Sequence, residues 1–275
     1  MYDAFHAGIF NTLSLFCPLY VIVMRRILSL SMNLSRDIFG GKPKFAVLID
    51  PDHETESTFT SLLNELSRDL ADVILVGGST SAHHNIDHVI RLIKERTSAP
   101  VLLFPGNLFQ LSSLADGLLL PSLISGRNPE YLIGKHVEAA GIIKDSGIPV
   151  FSMGYILVDG GRLSAASYVT QTMPIPGNQI DLVAQTALAG QLLGMKCIYL
   201  ESGSGAVQPA KQELISKVKE ELNIPLIVGG GIRDEAQVIS AVEAGADMVV
   251  VGTILEQYPK HLGTLYQAFS TYVSI

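Results

Sequence analysis

The sequence predicts an α/β fold, a single (β/α)8 TIM barrel. Eight short apolar runs recur along the chain from residue 45 onward, and each is nearly continuous, as parallel strands covered on both faces are. Segments with helical spacing separate most of these runs, and no linker divides the chain into two zones. A length of 275 residues suits one such barrel.

The predicted strands are rich in Val, Ile and Leu, which suits burial between a barrel interior and an outer layer of helices. Because the strands are parallel, their carboxyl ends meet at one face, where barrels of this type carry their sites. Their predicted bounds are Phe45–Ile49, Val73–Val76, Val101–Phe104, Leu118–Leu120, Val150–Val158, Cys197–Leu200, Leu226–Val228 and Met248–Val251.

Helices are predicted between most strands, and three of them end at a glycine in the position of a left-handed cap: Gly147, Gly194 and Gly245. The segment Pro105–Asp116 is too short for a full crossover helix, so we predict an irregular or single-turn link there. The segment Asp159–Pro176 is long enough to form a loop over the site. The predicted helices are Glu56–Leu70, His84–Arg96, Asn128–Asp145, Gln179–Leu193, Gln208–Leu222 and Glu235–Ala244.

The composition limits the classes of partner. A net charge of −7 argues against a broad nucleic-acid surface, which would need clustered Lys and Arg. It allows a small anionic ligand, because backbone N–H groups and helix dipoles hold phosphate without net positive charge. The two cysteines, Cys17 and Cys197, match no metal or redox spacing, which predicts a reducing, cytoplasmic location.

Residues 1–35 are predicted to form an extension ahead of a barrel domain at residues 36–275. The run Ile9–Met24 is largely apolar and precedes two arginines, as a membrane anchor or a signal sequence would. However, Asp3 stands where a signal peptide has Lys or Arg, and the run falls short of the ~20 residues that span a bilayer. A peripheral extension, a start codon assigned too early and a membrane segment all remain open.

Glycine-rich turns follow the last three predicted strands. The sixth strand leads into Tyr199–Gly205, the seventh ends in Gly229–Gly231, and the eighth ends in Gly252 and Thr253. Glycines at strand ends let the backbone approach a ligand closely, and the helix N-termini that follow direct N–H groups toward it. A single glycine pair often makes only a tight turn. Three clusters on successive strands predict a phosphate site.

Oxygen ligands follow the first two predicted strands. Asp50 and Asp52 come after the first, and Ser79 comes after Gly77 and Gly78 at the end of the second. A carboxylate and a hydroxyl at adjacent strand ends suit Mg²⁺, which takes oxygen ligands and keeps several waters. Such a metal would neutralise a departing diphosphate. The alternative for each residue is a turn or capping role, which is common for Asp and Ser.

One carboxylate lies inside the glycine-rich stretch after the sixth strand. Beside a bound phosphate, Glu201 would take the proton from an attacking hydroxyl, and its alternative role is to anchor the loop by hydrogen bonds. Tyr199 either donates to a substrate oxygen or fills the core. Arg233 either contacts a phosphate oxygen or pairs with Glu235.

As a set, these motifs resemble those of the geranylgeranylglyceryl phosphate synthases, which join sn-glycerol 1-phosphate to a polyprenyl diphosphate. The resemblance runs from about Phe45 to Gln257, and the string Thr172–Pro176 is similar to the longer, archaeal and Bacteroidetes-type branch. The motifs are Leu48–Asp52 (LIDPD), Gly77–Ser79 (GGS), Phe104–Gly106 (FPG), Tyr199–Gly205 (YLESGSG), Gly229–Ile232 (GGGI) and Val251–Thr253 (VGT).

The resemblance implies a magnesium-dependent prenyltransferase that uses geranylgeranyl diphosphate as donor, forms an ether bond and releases diphosphate. It implies Mg²⁺ ligands at Asp50 and Ser79 and a general base at Glu201, with Tyr199 beside it. It also implies a homo-oligomer and a barrel with an irregular segment in place of its third helix. The implied sn-glycerol 1-phosphate site comprises Tyr199, Leu200, Glu201, Ser202, Gly203, Ser204, Gly205, Gly230, Gly231, Gly252 and Thr253.

A prenyl tail needs a long apolar groove. We expect Phe104, Leu108, Phe109 and Leu111, near the third strand, to form its wall, with ordinary core packing as the alternative for each. A lipid substrate and a lipid product also imply transient contact with a membrane.

Two positions depart from related sequences. Leu48 stands where heptaprenyl relatives have Lys, which favours the geranylgeranyl branch. His53 stands where this branch commonly has Lys, which alters the charge beside the diphosphate but not the metal ligand.

Two other functions share part of the pattern. A phosphate-binding isomerase or lyase would use the same glycine turns, but it needs an acid/base pair at opposite strand ends, and no partner for Asp50 stands out. A non-catalytic phosphate-binding barrel would bind its ligand without turnover.

Overall fold

The computed structural model describes residues 34–35, 37–53, 57–78, 86–106 and 111–274. Its eight strands form one closed barrel in chain order, and every neighbouring pair, including the first and last strands, is parallel. The predicted fold class is confirmed. The strands are β1 (Lys44–Ile49), β2 (Val73–Val76), β3 (Val101–Leu103), β4 (Gly117–Leu123), β5 (Val150–Leu157), β6 (Cys197–Glu201), β7 (Leu226–Gly229) and β8 (Met248–Val251).

Helices cover the outside of the barrel and return the chain to the amino ends of the strands. In the described part of the chain, none of them is both long enough and apolar enough to span a membrane. They are α1 (Ser57–Leu66), α2 (Ile86–Lys94), α3 (Lys135–Ser146), α4 (Ala165–Thr170), α5 (Ile180–Leu192), α6 (Gln212–Glu221), α7 (Glu235–Glu243), α8 (Thr253–Gln257) and α9 (His261–Val273).

Local sequence explains where several helices begin and end. The Asp234 side chain caps α7 by accepting a hydrogen bond from the Gln237 backbone N–H at 2.9 Å. Ser164 caps α4 in the same way, through the Ser167 backbone N–H at 3.1 Å. At the other end of a helix, Gly147 follows α3 with a φ of +68°, as the predicted left-handed cap requires.

The sequence analysis offered no helix after Ala244, whereas the structure contains α8 and α9. Helix α9 buries Leu262, Leu265 and Phe269, and the Phe269 ring lies 5.6 Å from that of Phe45 on β1. These apolar residues follow helical spacing, so the signal was present in the sequence.

Alternate strand residues face the interior and the outer helices. On β6, Cys197 and Tyr199 pack inside the barrel, while Ile198 and Leu200 pack outward. Tyr155 on β5 is the register partner of Tyr199, so two inward-facing aromatic residues lie side by side toward the carboxyl ends of their strands.

A short helical segment before β1 closes the amino-terminal end of the barrel. Ile38 is fully buried in the interior and Leu34 packs in the same cluster. The Phe39 ring meets Phe151 edge-on, with centroids 5.6 Å apart. The predicted boundary between residues 35 and 36 falls inside this segment, which contacts the barrel on both sides of it. The predicted extension itself lies almost entirely in residues 1–33, outside the described residues.

Three connections depart from a regular barrel. Between β3 and β4, the described residues 104–106 and 111–116 contain no helix, in agreement with the predicted irregular link. The connection after β5 contains the short helix α4, where only a loop was predicted. After β4 the chain enters its helix through a π-helical turn, Glu130–Gly134, a form that is frequent at functional sites.

Candidate active site

The carboxyl ends of the strands surround a cavity of about 330 Å³. Asp50 and Gly78, after β1 and β2, line one side of it. Glu201, Gly230 and Thr253, at the ends of β6, β7 and β8, line the other. The two groups of residues that the sequence associated with a metal and with a phosphate therefore face one common space.

Glycines shape the side of this cavity that the sequence associated with a phosphate. Gly203, Gly230 and Gly231 have φ angles of +105°, +83° and +75°, in the left-handed region. A Cβ added at Gly230 would lie 2.6 Å from the Gly203 amide nitrogen, and one at Gly231 would lie 2.8 Å from the Gln208 carbonyl carbon. Both the backbone conformation and the available space therefore require glycine.

Side chains tie the loops after β6, β7 and β8 together. The Ser204 and Thr253 hydroxyl oxygens lie 3.0 Å apart across the site. The Arg233 guanidinium donates to the carbonyl oxygens of Val207 at 3.1 Å and Gly205 at 3.3 Å, and also to that of Ala206. Arg233 thus holds the glycine-rich loop after β6 through its backbone, a role that neither sequence-based alternative anticipated.

Glu201 is a buried carboxylate at the bottom of the glycine-rich loops. Its side chain is 7% exposed, and its Oε1 accepts a hydrogen bond from the Gly203 N–H at 2.6 Å. Burial raises the pKa of Glu201 to about 7, while the Gly203 N–H and the Tyr199 and Tyr155 hydroxyls act in the opposite direction. A carboxyl group that titrates near neutrality, in a cavity, has the properties of a general base.

Three aromatic rings pack beneath Glu201. The Phe104 ring stacks on Tyr199 with centroids 5.3 Å apart, and Tyr155 lies 5.5 Å from Tyr199. Burial and the nearby Glu201 carboxylate raise the pKa of both tyrosines well above its usual value, so both hydroxyls stay protonated at neutral pH. The Tyr199 hydroxyl is near enough to Glu201 to affect its pKa, although no hydrogen bond of good geometry reaches it from the described residues.

Tyr155 was not among the residues predicted from the sequence to line the site. It lines the cavity beside Glu201, and its only signal in the sequence was an inward-facing position near the end of the fifth predicted strand. The strand register, which the sequence did not provide, is what pairs it with Tyr199.

Asp50 forms the opposite wall of the cavity. Its Oδ1 accepts a hydrogen bond from the Asp52 backbone N–H at 3.0 Å. Any side chain at Gly78 would collide with the Asp50 carboxylate, so the glycine at the end of β2 leaves the space this carboxylate occupies. Ser79, the other predicted ligand, lies outside the described residues.

No group of three His, Cys, Asp or Glu side chains gathers within the described ranges as a ready metal site. That arrangement is not required for Mg²⁺, which is commonly held by one or two carboxylates together with substrate phosphates. The Asp50 carboxylate, on the side of β1 and β2, therefore fits the donor set that Mg²⁺ uses with a diphosphate.

The remaining predicted residues divide into those at the cavity and those away from it. Phe104 lines the cavity, as does Leu48. Leu200 points outward from β6 and Leu111 packs against the outer core, so neither side chain is brought to the cavity. Ser202 is buried, and its backbone N–H donates to the Gly229 carbonyl oxygen at 3.1 Å. Leu108 and Phe109 lie outside the described residues.

The predicted loop over the site does cover it, through a helix that the sequence did not indicate. Ser164, Ala166 and Val169 of this connection line the cavity, as does Tyr131 of the π-helical turn. The Tyr131 hydroxyl donates to the Val169 carbonyl oxygen at 3.4 Å, so the two covering segments touch.

Comparison with known sequences identifies a matching family. Residues 38–270 match the PcrB family. A curated protein of Spirosoma linguale named geranylgeranylglyceryl phosphate synthase is 44% identical over 235 residues, which are 85% of this chain and 94% of that protein. One of the same name from Zunongwangia profunda is 46% identical over 215 residues, 78% of this chain and 92% of its own.

A solved structure is similar to this chain in fold. The crystal structure of (S)-3-O-geranylgeranylglyceryl phosphate synthase from Thermoplasma acidophilum, in complex with its substrate sn-glycerol-1-phosphate, is similar with a TM-score of 0.79 and 31% sequence identity. The similarity covers 89% of this chain and 98% of that one.

Proposed function

The chain belongs to the PcrB family, and from its similarity to geranylgeranylglyceryl phosphate synthases we propose that it is one of them. It joins sn-glycerol 1-phosphate to geranylgeranyl diphosphate and releases diphosphate. The observation that carries this proposal is the single cavity in which Asp50, on the side of β1 and β2, faces Glu201 and the glycine-rich turns of β6, β7 and β8. A reaction between two phosphorylated substrates needs a cavity with two sides, one for the phosphate group of each substrate.

The glycine-rich turns hold the phosphate of sn-glycerol 1-phosphate. Gly203, Gly205, Gly230 and Gly231 allow the backbone to approach an anion without interference from side chains. The Ser204 and Thr253 hydroxyls, 3.0 Å apart, lie on the same side and serve as additional donors. Arg233, which also lines the cavity, supports this binding through its hydrogen bonds to the carbonyl groups of the loop.

Glu201 is the general base. As the glycerol hydroxyl oxygen forms a bond to the first carbon of the prenyl chain, its proton passes to the Glu201 carboxylate. The bond between that carbon and the diphosphate oxygen breaks, and the electron pair leaves with diphosphate. The Gly203 N–H fixes one oxygen of Glu201 at 2.6 Å, which orients the carboxylate before the substrate arrives.

Asp50, together with Ser79 as the sequence predicts, would hold Mg²⁺ at the diphosphate. The metal would supply positive charge that stabilises the leaving group. The fit rests on the Asp50 carboxylate facing the cavity and on the glycine at position 78, beside it.

Apolar residues next to the diphosphate side accept the start of the prenyl chain. Phe104 and Leu48 line the cavity there, and Leu123 and Val169 line it nearby. We keep Leu108 and Phe109 as proposed wall residues from the sequence, whereas the outward packing of Leu111 argues against a direct contact. Leu48, uncharged in this position, suits the passage of an apolar chain.

A cytoplasmic location and a homo-oligomeric state are also proposed. The buried, unpaired thiol of Cys197 is consistent with a reducing compartment. The oligomer follows from the family resemblance alone.

The test is incubation of the purified chain with labelled sn-glycerol 1-phosphate, geranylgeranyl diphosphate and Mg²⁺, followed by extraction into organic solvent. We expect label in the organic phase, and its loss with EDTA and in Asp50→Ala. The matched control is Asp87→Ala, since that carboxylate lies on α2 outside the cavity and accepts a hydrogen bond from Ser112. No extractable label with donors of any length would refute the synthase and favour a phosphate-binding isomerase, a lyase or a non-catalytic barrel.

A further inference from the structure

Large apolar side chains are exposed on the connections that follow β4, β5 and β6, some of them in the helices of those connections. Their exposed fractions range from 59% to 86%. Scattered apolar residues are normal on a protein surface, but a group concentrated on adjacent loops around a cavity marks an interaction site. We call this group the apolar rim. Its members are Ile133 and Val137 after β4, Leu163, Tyr168 and Met173 after β5, and Val207 after β6.

Direct contacts connect these three loops. The Asn128 side chain donates to the Thr170 carbonyl oxygen at 3.0 Å, which joins the loop after β4 to α4. A Cβ at Gly161 would lie 3.1 Å from the Val207 Cβ, so the loops after β5 and β6 also touch. The three connections that carry the apolar rim therefore lie next to one another at the mouth of the cavity.

The apolar rim is continuous with the cavity. Helix α4 presents Ala166 and Val169 to the cavity, while Tyr168 on the same helix is exposed to solvent. A single short helix thus separates the space for the prenyl chain from the exposed apolar surface.

The apolar rim also lacks the negative charge of the rest of the chain. Segments 124–138, 158–179 and 202–211 contain four cationic and three anionic side chains, whereas the whole chain has a net charge of −7. A surface that pairs apolar residues with Arg127, Arg162 and Lys211 can approach anionic lipid headgroups without repulsion.

We propose that the apolar rim docks on the surface of a lipid bilayer, with α4 against the headgroup region. This inference rests on the proposed function, because the lipid product of that reaction would pass from the cavity into a membrane. Each methylene group exposed to water costs free energy, so a donor and product with twenty-carbon chains move most readily between a bilayer and a cavity next to it. Tyr168, an aromatic residue with a polar tip, suits the membrane interface.

The test is flotation of the full chain with vesicles made of equal parts phosphatidylcholine and phosphatidylglycerol. We expect the chain to float with the vesicles, and the double substitution Tyr168→Glu and Met173→Glu to lower the bound fraction about five-fold or more, because it places charge on the docking face. The matched control is Leu192→Glu with Leu193→Glu. These residues are 78% and 77% exposed at the end of α5, which in this barrel is the face opposite the cavity, and binding should be unchanged.

Equal flotation of the rim variant and the wild-type chain would overturn the proposal. A change in elution volume of the rim variant on size exclusion would overturn it too, because the rim would then be an interface between copies. Turnover of geranyl diphosphate, a shorter donor added without vesicles, should be retained by the rim variant. Failure of the wild-type chain to turn over any donor would count against the proposed function, while flotation would still decide the role of the rim.

Discussion

At the scale of single residues, the candidate site depends on a carboxyl group whose pKa is set by burial. As the proposed general base, Glu201 must be ionised to accept a proton, and its pKa is raised to about 7 because the folded chain removes it from water. The same burial that makes the charged form costly makes it a stronger base than an exposed glutamate.

The first prediction concerns the pH dependence of activity. The fraction of ionised Glu201 increases as pH rises through about 7, so kcat/KM should rise with pH and level off above that value. Glu201→Gln should lower kcat by about 10²- to 10⁴-fold and abolish the rising limb. Initial rates from pH 5 to 9 provide the measurement. An unchanged limb in the glutamine variant would assign the titration to another group.

The second prediction concerns glycine at position 230. Gly230→Ala requires a left-handed alanine against the Glu201 carboxylate and the Gly203 amide nitrogen, so it should raise KM for sn-glycerol 1-phosphate by about tenfold or more and lower kcat as well. The control is Gly141→Ala, where a Cβ meets nothing within 4 Å on exposed helix α3. That change should stabilise the fold by about 0.5–1 kcal/mol and leave KM unchanged. Equal KM values for the two variants would contradict the assigned phosphate role.

At the scale of elements, the phosphate side is built from loops that support one another. The loop after β6 is held by Arg233 from the loop after β7, and its Ser204 meets Thr253 after β8. A change in the backbone conformation of one loop would therefore displace the other two loops.

The third prediction tests this support. Arg233→Lys keeps the positive charge but replaces the planar guanidinium by one ammonium group. This group cannot donate to the carbonyl oxygens of Gly205 and Val207 at the same time. We expect KM for sn-glycerol 1-phosphate to rise about tenfold, equivalent to about 1.4 kcal/mol, with kcat nearly unchanged. Steady-state kinetics on Arg96→Lys, an exposed residue that contacts Asn64 away from the cavity, provide the control. A fall in kcat without a change in KM would show that Arg233 acts in the chemical step instead.

At the scale of the whole molecule, the two ends of the barrel have different roles. The carboxyl end carries the cavity and its covering segments, whereas the amino end is closed by Ile38, Leu34 and Phe39. Stability and chemistry are therefore separated along the barrel axis.

The fourth prediction follows from this separation. Ile38→Ala should lower the free energy of unfolding by about 2–5 kcal/mol, because Ile38 is fully buried inside the barrel. The same change at Leu193, which is 77% exposed, should cost less than about 0.5 kcal/mol. Denaturant unfolding gives both values. Below its melting temperature, Ile38→Ala should have the same KM values as the unsubstituted chain. A large change in KM would show that the two ends of the barrel are coupled.

Sequence by itself determined the fold class, the order of the strands and the residue types at their carboxyl ends. Continuous apolar runs and glycine clusters are local properties, so they could be recognised without knowing which residues touch. That is why Asp50, Glu201 and the glycines of the last three loops were found in advance.

Only the tertiary structure decided which residues share the cavity. Strand register pairs Tyr155 with Tyr199, packing turns Leu200 and Leu111 away, and the chain that folds back over the site forms α4. Burial likewise sets the pKa of Glu201. These properties arise from contacts between residues distant in the chain, and no local pattern specifies them, because a side chain's neighbours and solvent exposure exist only once the barrel has closed.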